Sequence, residues 1–179
     1  YHSVIAPRTR RWVLVRSLSK ALGPDLRLAV LGCDADTAAR LRLRMAPGTG
    51  WVSHLLQDAA AAALGSARVM ARVAKAGRDY AQRCQVLQQA LGEQGIHTPA
   101  VMDGLNLWVP LAADSQPLVL AMAQRGWQLR GGEVFAVQPG VHGLRITTAM
   151  LTAGDARRVA LDLRQALEDQ GALGVLGRT

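Results

Sequence analysis

The sequence predicts an α/β beginning that passes, through one long helix, into a smaller α+β unit. Three observations carry this. Two apolar, β-branched runs, Trp12–Val15 and Leu26–Leu31, flank a polar loop. From Ala67 to Leu91, apolar or small residues recur at spacings of four and three. After Pro99 the composition changes to short strands and turns.

The elements follow in order. Trp12–Val15 and Leu26–Leu31 read as buried strands. Asp34 or Asp36 can cap a helix to about Met45, ended by Pro47-Gly48-Thr49-Gly50. Helical pattern resumes near Val52, and the alanine-rich Asp58–Leu64 suits tight packing between helices until Gly65-Ser66 breaks it. The longest helix presents the seam Val69, Val73, Gly77, Tyr80, Cys84, Leu87 and Leu91, with Arg68, Arg72 and Lys75 on a solvated face. Gly92–Pro99 is a turn, and Asp103-Gly104 introduces a strand over Leu105–Leu111. Asp114 or Ser115, with Pro117 in the first turn, starts a helix to about Gln124, ended by Gly126. Trp127–Arg130 reads as a strand, Gly131-Gly132 and His142-Gly143 as turns, and Leu144–Ala149 as another strand. Thr152 and Asp155 resemble a capping box before a last helix to about Asp169. No internal repeat is visible.

Composition narrows the function. With 179 residues, 50% hydrophobic and 19% charged, the chain can bury a core and is not of disordered composition. A formal net charge of +8 raises the question of an anionic partner. Yet the basic residues are scattered singly or in short groups such as Arg8, Arg10 and Arg11, or Arg40, Arg42 and Arg44. No helix-turn-helix or aromatic stacking pattern accompanies them, so a stand-alone nucleic-acid module ranks last. Cys33 and Cys84 are too few and too far apart for a disulfide scaffold, and no Cys/His cluster has metal-ligand spacing. These features fit a cytoplasmic protein. No apolar run reaches the roughly 18 residues a bilayer requires, so no membrane partner is expected. The N-terminus shows neither a signal-peptide layout nor an initiator Met, and the chain is read as part of a longer protein.

Chemistry concentrates between the first two strands. Ser17, Ser19, Lys20 and Arg27 stand in one loop stiffened by Pro24. An aldehyde cofactor bearing a phosphate needs such a set: an amine for a Schiff base, and hydroxyls with a fixed cation for the dianion. By itself Lys20 is an ordinary loop lysine; the constellation gives it weight. Arg27, at the head of a strand read as buried, would need a partner. His54 and His142 lack any partner pattern and read as structural.

Ser17-Leu-Ser-Lys-Ala-Leu-Gly-Pro-Asp-Leu-Arg27 resembles the lysine motif of fold-type-I pyridoxal-phosphate proteins, the aspartate-aminotransferase superfamily. It is most similar to the branch of aminoadipate/kynurenine-type aminotransferases and MocR-like transcription regulators. Gly104-Leu-Asn-Leu-Trp108, Gly131-Gly-Glu-Val-Phe135 and Leu144-Arg-Ile-Thr-Thr-Ala149 are similar to small-domain motifs of that branch, in the same order. The resemblance implies a remnant of the cofactor-binding large domain over residues 1–66, and a linking helix with the small domain over residues 67–179. It implies pyridoxal 5'-phosphate as cofactor, Lys20 as the Schiff-base lysine, and Ser17, Ser19 and Arg27 as phosphate ligands. Arg145 becomes the residue that binds a substrate carboxylate, with Asn106 facing the ligand; an ion-paired Arg145 and a hydrogen-bonded strand Asn106 are the plainer readings.

The family's aspartate for the pyridine nitrogen, its tyrosine and its ring-stacking aromatic all belong upstream of the lysine strand. Tyr1 is not in their motif. This stretch alone is therefore expected to bind the cofactor weakly and to be incomplete as a catalyst. Within the branch, the stretch from Ser17 to Asp36 looks most like the regulators tied to vitamin B6 salvage. That implies an effector domain sensing a vitamin B6 form or an amino compound, a homodimer, and DNA contact through an N-terminal winged-helix domain outside this sequence. A class I/II aminotransferase is the alternative.

Overall fold

The computed structural model describes residues 5–6, 8–48, 50–100 and 104–171. The chain divides into two compact units, residues 1–74 and 75–179. Asp103, Thr49 and Tyr1, named above, lie outside the described residues.

In the first unit, β1 (Val13–Ser17) and β2 (Ala29–Cys33) pair antiparallel, with Val13 opposite Cys33 and Ser17 opposite Ala29. Asp34 then caps α1 (Ala35–Met45), accepting from the Thr37 amide at 3.0 Å. Its other oxygen accepts from the Trp12 amide at 2.8 Å, so one carboxylate ties the entry of β1 to the start of α1. These bonds, those from Thr37 foremost, lower the Asp34 pKa to about 2. α2 (His54–Gly65) begins at Ser53, whose hydroxyl accepts from the Leu56 amide at 3.4 Å.

Two expectations for this unit are corrected. The strands are not buried: Val15 and Val30 are 57% and 55% exposed. Each strand has a single paired neighbour, and Leu26–Leu28 belong to the turn between them. The alanine-rich stretch of α2 is not tightly packed either, since Ala60 is its one buried residue.

α3 (Ala67–Glu93) follows the expected seam, but the seam is buried only from Cys84 onward, through Leu87 and Leu91. In the second unit come β3 (Asn106–Leu111), α4 (Gln116–Gln124), β4 (Arg130–Gly131), a 3-10 turn at Glu133–Phe135, β5 (His142–Thr147) and α5 (Ala153–Asp169). The sheet order is β3-β5-β4, antiparallel throughout. Leu107 and Val109 on β3, with Leu144 and Ile146 on β5, alternate inward as a one-sided sheet requires. They share a core with Val159, Leu163 and Leu167, a stripe of helical spacing on α5. Each such buried side chain contributes about 1.5–3 kcal/mol. Thr152 starts α5 as expected, its hydroxyl accepting from the Asp155 amide at 3.1 Å and donating to the Asp155 carboxylate at 2.6 Å.

Three local expectations change in this unit. The strand at Trp127–Arg130 is reduced to Arg130–Gly131; Trp127 instead donates its indole N–H to Asp162 at 2.6 Å. Gly131 accordingly lies in that strand rather than in the turn. His142-Gly143 is not a turn but the start of β5. Gly143 is there for space: a Cβ at this position would run into the Trp108 indole and stand 2.9 Å from the Val109 carbonyl.

Candidate functional site

The hairpin loop of the first unit gathers four of the predicted residues. It is closed by the Leu18 amide donating to the Leu28 carbonyl at 2.9 Å, and Ala21 and Leu22 both donate back to the Leu18 carbonyl. Gly23 adopts a φ of 129°, which only glycine takes without strain, and turns the chain toward Pro24. Ser17 ends β1, Ser19 and Lys20 stand in the turn, and Arg27 precedes β2. The Ser17 hydroxyl accepts from the Ser19 amide at 3.4 Å, and the Ser19 hydroxyl donates to the Leu26 carbonyl at 2.9 Å. Lys20 and Arg27 are exposed, and among the described residues neither has an ion-pair partner. Because the strands are open, the Arg27 guanidinium is not buried, and the partner that a buried one would need is not called for here.

The donor set fits an aldehyde that bears a phosphate: a primary amine, two hydroxyls and an unengaged guanidinium in one closed loop. Ser19 would have to give up its bond to Leu26, at a cost of about 1 kcal/mol, before donating to a phosphate oxygen. The sequence has two lysines, Lys20 and Lys75. Lys75 is held by Asp79 at 2.7 Å, which leaves Lys20 as the unpaired amine.

In the second unit, the outer face of the sheet carries the other two. Asn106 lies opposite Thr147 and accepts from its hydroxyl at 2.9 Å, the plainer of the two readings for that residue. Arg145 lies between Trp108 on β3 and Arg130 on β4, directly opposite each. Its guanidinium carbon is 4.6 Å from the centroid of the Phe135 ring. Its Nε is buried without a hydrogen-bond partner, and it makes no ion pair among the described residues, so the structure does not bear out the plain reading of a strand arginine paired with an acid.

Sequence reasoning missed several residues here. Arg130 and Phe135 flank Arg145 only through strand pairing and the 3-10 turn, which no spacing rule reveals. Glu133 accepts from the Ser115 amide at 3.0 Å and from the buried Ser115 hydroxyl, and lies 3.0 Å from His142 Nδ1. Burial pushes the Glu133 carboxyl up, but bonds from Ser115 and His142 outweigh it and hold the pKa at about 2. No Cys/His/Asp/Glu group among the described residues could hold a metal ion, and no described helix is long and apolar enough to cross a membrane.

Against known proteins, the family profile "Aminotransferase class I and II" matches residues 5–163. The chain is 44% identical, over 168 residues, to the vitamin B6 salvage pathway transcriptional repressor PtsJ of Salmonella typhimurium, covering 93% of this chain and 39% of that protein. Its fold is similar to an aromatic aminotransferase from Pyrococcus horikoshii, with a TM-score of 0.77 at 17% identity over 90% of this chain and 44% of the other. It is also similar to the α-aminoadipate aminotransferase LysN of Thermus thermophilus, solved with N-(5'-phosphopyridoxyl)-L-leucine, with a TM-score of 0.72 at 22% identity over 90% and 43% of the two chains. The chain thus spans well under half the length of the relatives it matches.

Proposed function

The chain belongs to the class I and II aminotransferase family, and from that premise we propose that it is the cofactor-binding effector part of a transcription regulator that responds to a vitamin B6 form or a related amino compound. The observation that carries this is the extent of the likeness to a vitamin B6 salvage repressor, which runs through nearly the whole chain, whereas the enzymes share its fold at far lower identity. In this reading residues 1–66 belong to the large domain and residues 67–179 are the linking helix and small domain. DNA contact falls to a winged-helix segment outside this sequence, and the regulator acts as a cytoplasmic homodimer.

Pyridoxal phosphate, when bound, supplies an electrophilic aldehyde carbon on an electron-withdrawing ring. Lys20 would hold the aldehyde end through its amine. Ser17 and Ser19 would donate hydroxyl hydrogen bonds to the phosphate, and Arg27 would set a permanent positive charge beside it. Arg145 suits a carboxylate of the sensed compound, because a guanidinium fork matches two carboxylate oxygens and its carbon sits 4.6 Å from the centroid of the Phe135 ring. Exchange of one ligand for another would then bias domain geometry without requiring turnover. The shared fold of the aminotransferases favours a second reading, a catalyst, in which Lys20 also moves a proton.

Mapping the cofactor tests the first claim. After incubation with pyridoxal phosphate and reduction with borohydride, the phosphopyridoxyl group is expected on the peptide carrying Lys20, and Lys20→Ala is expected to abolish it. Equal labelling of Lys75 would mean that Lys20 is not the attachment point. Turnover of amino acid and oxo acid substrates by the full-length protein would favour the enzyme.

A further inference from the structure

The outer face of the small sheet sets two arginines against each other. Arg130 on β4 is the direct cross-strand partner of Arg145 on β5. Directly opposite residues of an antiparallel pair project from the same face with Cβ atoms about 5 Å apart, and like charges so placed repel. Nothing among the described residues relieves this. Neither arginine takes part in an ion pair among the described residues. Glu133, three residues beyond Arg130, is engaged with Ser115 and His142. Phe135 attracts the Arg145 guanidinium but carries no net charge and leaves the buried Nε without an acceptor.

Two cations thus stand side by side on this face, Arg130 exposed and Arg145 half-buried with an orphaned donor, and neither has a counter-charge among the described residues. A single carboxylate would pair with Arg145 and leave Arg130 to water. We propose that Arg130 and Arg145 together recognise a doubly charged oxyanion group, carried either by a dicarboxylate or by a phosphate monoester. This rests on the reading of Arg145 as a carboxylate-binding residue and adds Arg130 as the residue that sets the charge of the ligand. The Trp108 indole, from the residue paired with Arg145, lies over Gly143 and Gly132 and lends this face an apolar surface next to Arg145.

Calorimetric titration of the chain with butyrate, glutarate and inorganic phosphate tests the pair, with folding of each variant checked by circular dichroism. A dianion is expected to bind the parent at least about tenfold more tightly than butyrate, the size of effect given by one added charge-assisted pair. Arg130→Gln should bring that ratio to within about twofold, and Arg130→Lys should restore part of it. The tighter of glutarate and phosphate identifies the source of the charge. If the dianions bind no tighter than butyrate, do not bind at all, or keep their advantage in Arg130→Gln, the pair is not the recognition device. Arg145→Gln separates this from the reading beneath it: butyrate affinity that survives that change removes the carboxylate role of Arg145, whatever Arg130 does.

Discussion

Glu133 organises the polar side of the C-terminal unit through one carboxylate. Ser115 is fully buried, so its hydroxyl and amide must find partners inside the protein, and Glu133 supplies both. The carboxyl is held at about 2, below its ordinary 4.5, despite burial that acts the other way. A depressed carboxylate pKa contributes stability that is fully present above the unfolded value and lost as pH falls toward the folded one. Thermal melts should therefore show this contribution disappearing between about pH 4.5 and pH 2. Glu133→Gln should lose about 2 kcal/mol at neutral pH, as expected for hydrogen bonds to a charged group, and should flatten that acid limb. A variant whose melting temperature falls with acid as steeply as the parent's would refute the assignment. The same residue shows why His142 offered no signal in sequence: its partner is nine residues away across a turn.

At the scale of elements, β5 depends on a glycine that sequence reads as a turn. Gly143 is buried within the strand because the Trp108 side chain lies where a Cβ would stand. Overpacking of this kind costs about 1–3 kcal/mol, so Gly143→Ala should destabilise the unit by that amount in denaturant melts. Trp108→Leu in the same chain should make the alanine markedly less costly, because the obstruction is mostly indole. If the alanine costs the same with and without the indole, Trp108 does not lie over this strand. Helix ends behaved differently. Asp34 and Thr152 each accept from an amide of the first turn, as their position before a helical pattern implies; Ser53 does the same one residue beyond the start read from the sequence. Caps are local, and local chemistry is written in consecutive residues.

Across the whole molecule, buried apolar side chains are unequally shared. The hydrophobic core cluster runs from Cys84 to Leu167, whereas among the described residues before Lys75 only Ala60 is a buried hydrophobic. Slow amide hydrogen exchange is accordingly expected in β3, β5 and α5, and fast exchange in β1 and β2, where a single ladder faces solvent. Equal protection in both units would contradict this distribution. By itself the sequence determined the order of helices and most strands, the capped starts of α1 and α5 and the loop carrying Ser17, Ser19, Lys20 and Arg27. Those rest on periodicity, caps and turn residues, which act over a few positions. The four motifs in order also identified the family. Only the tertiary structure decided that β1 and β2 are exposed, that Gly143 serves Trp108, and that Arg145 stands between Trp108 and Arg130 above Phe135. Burial and cross-strand neighbours depend on which strands pair and in what register, and residues far apart in sequence set both.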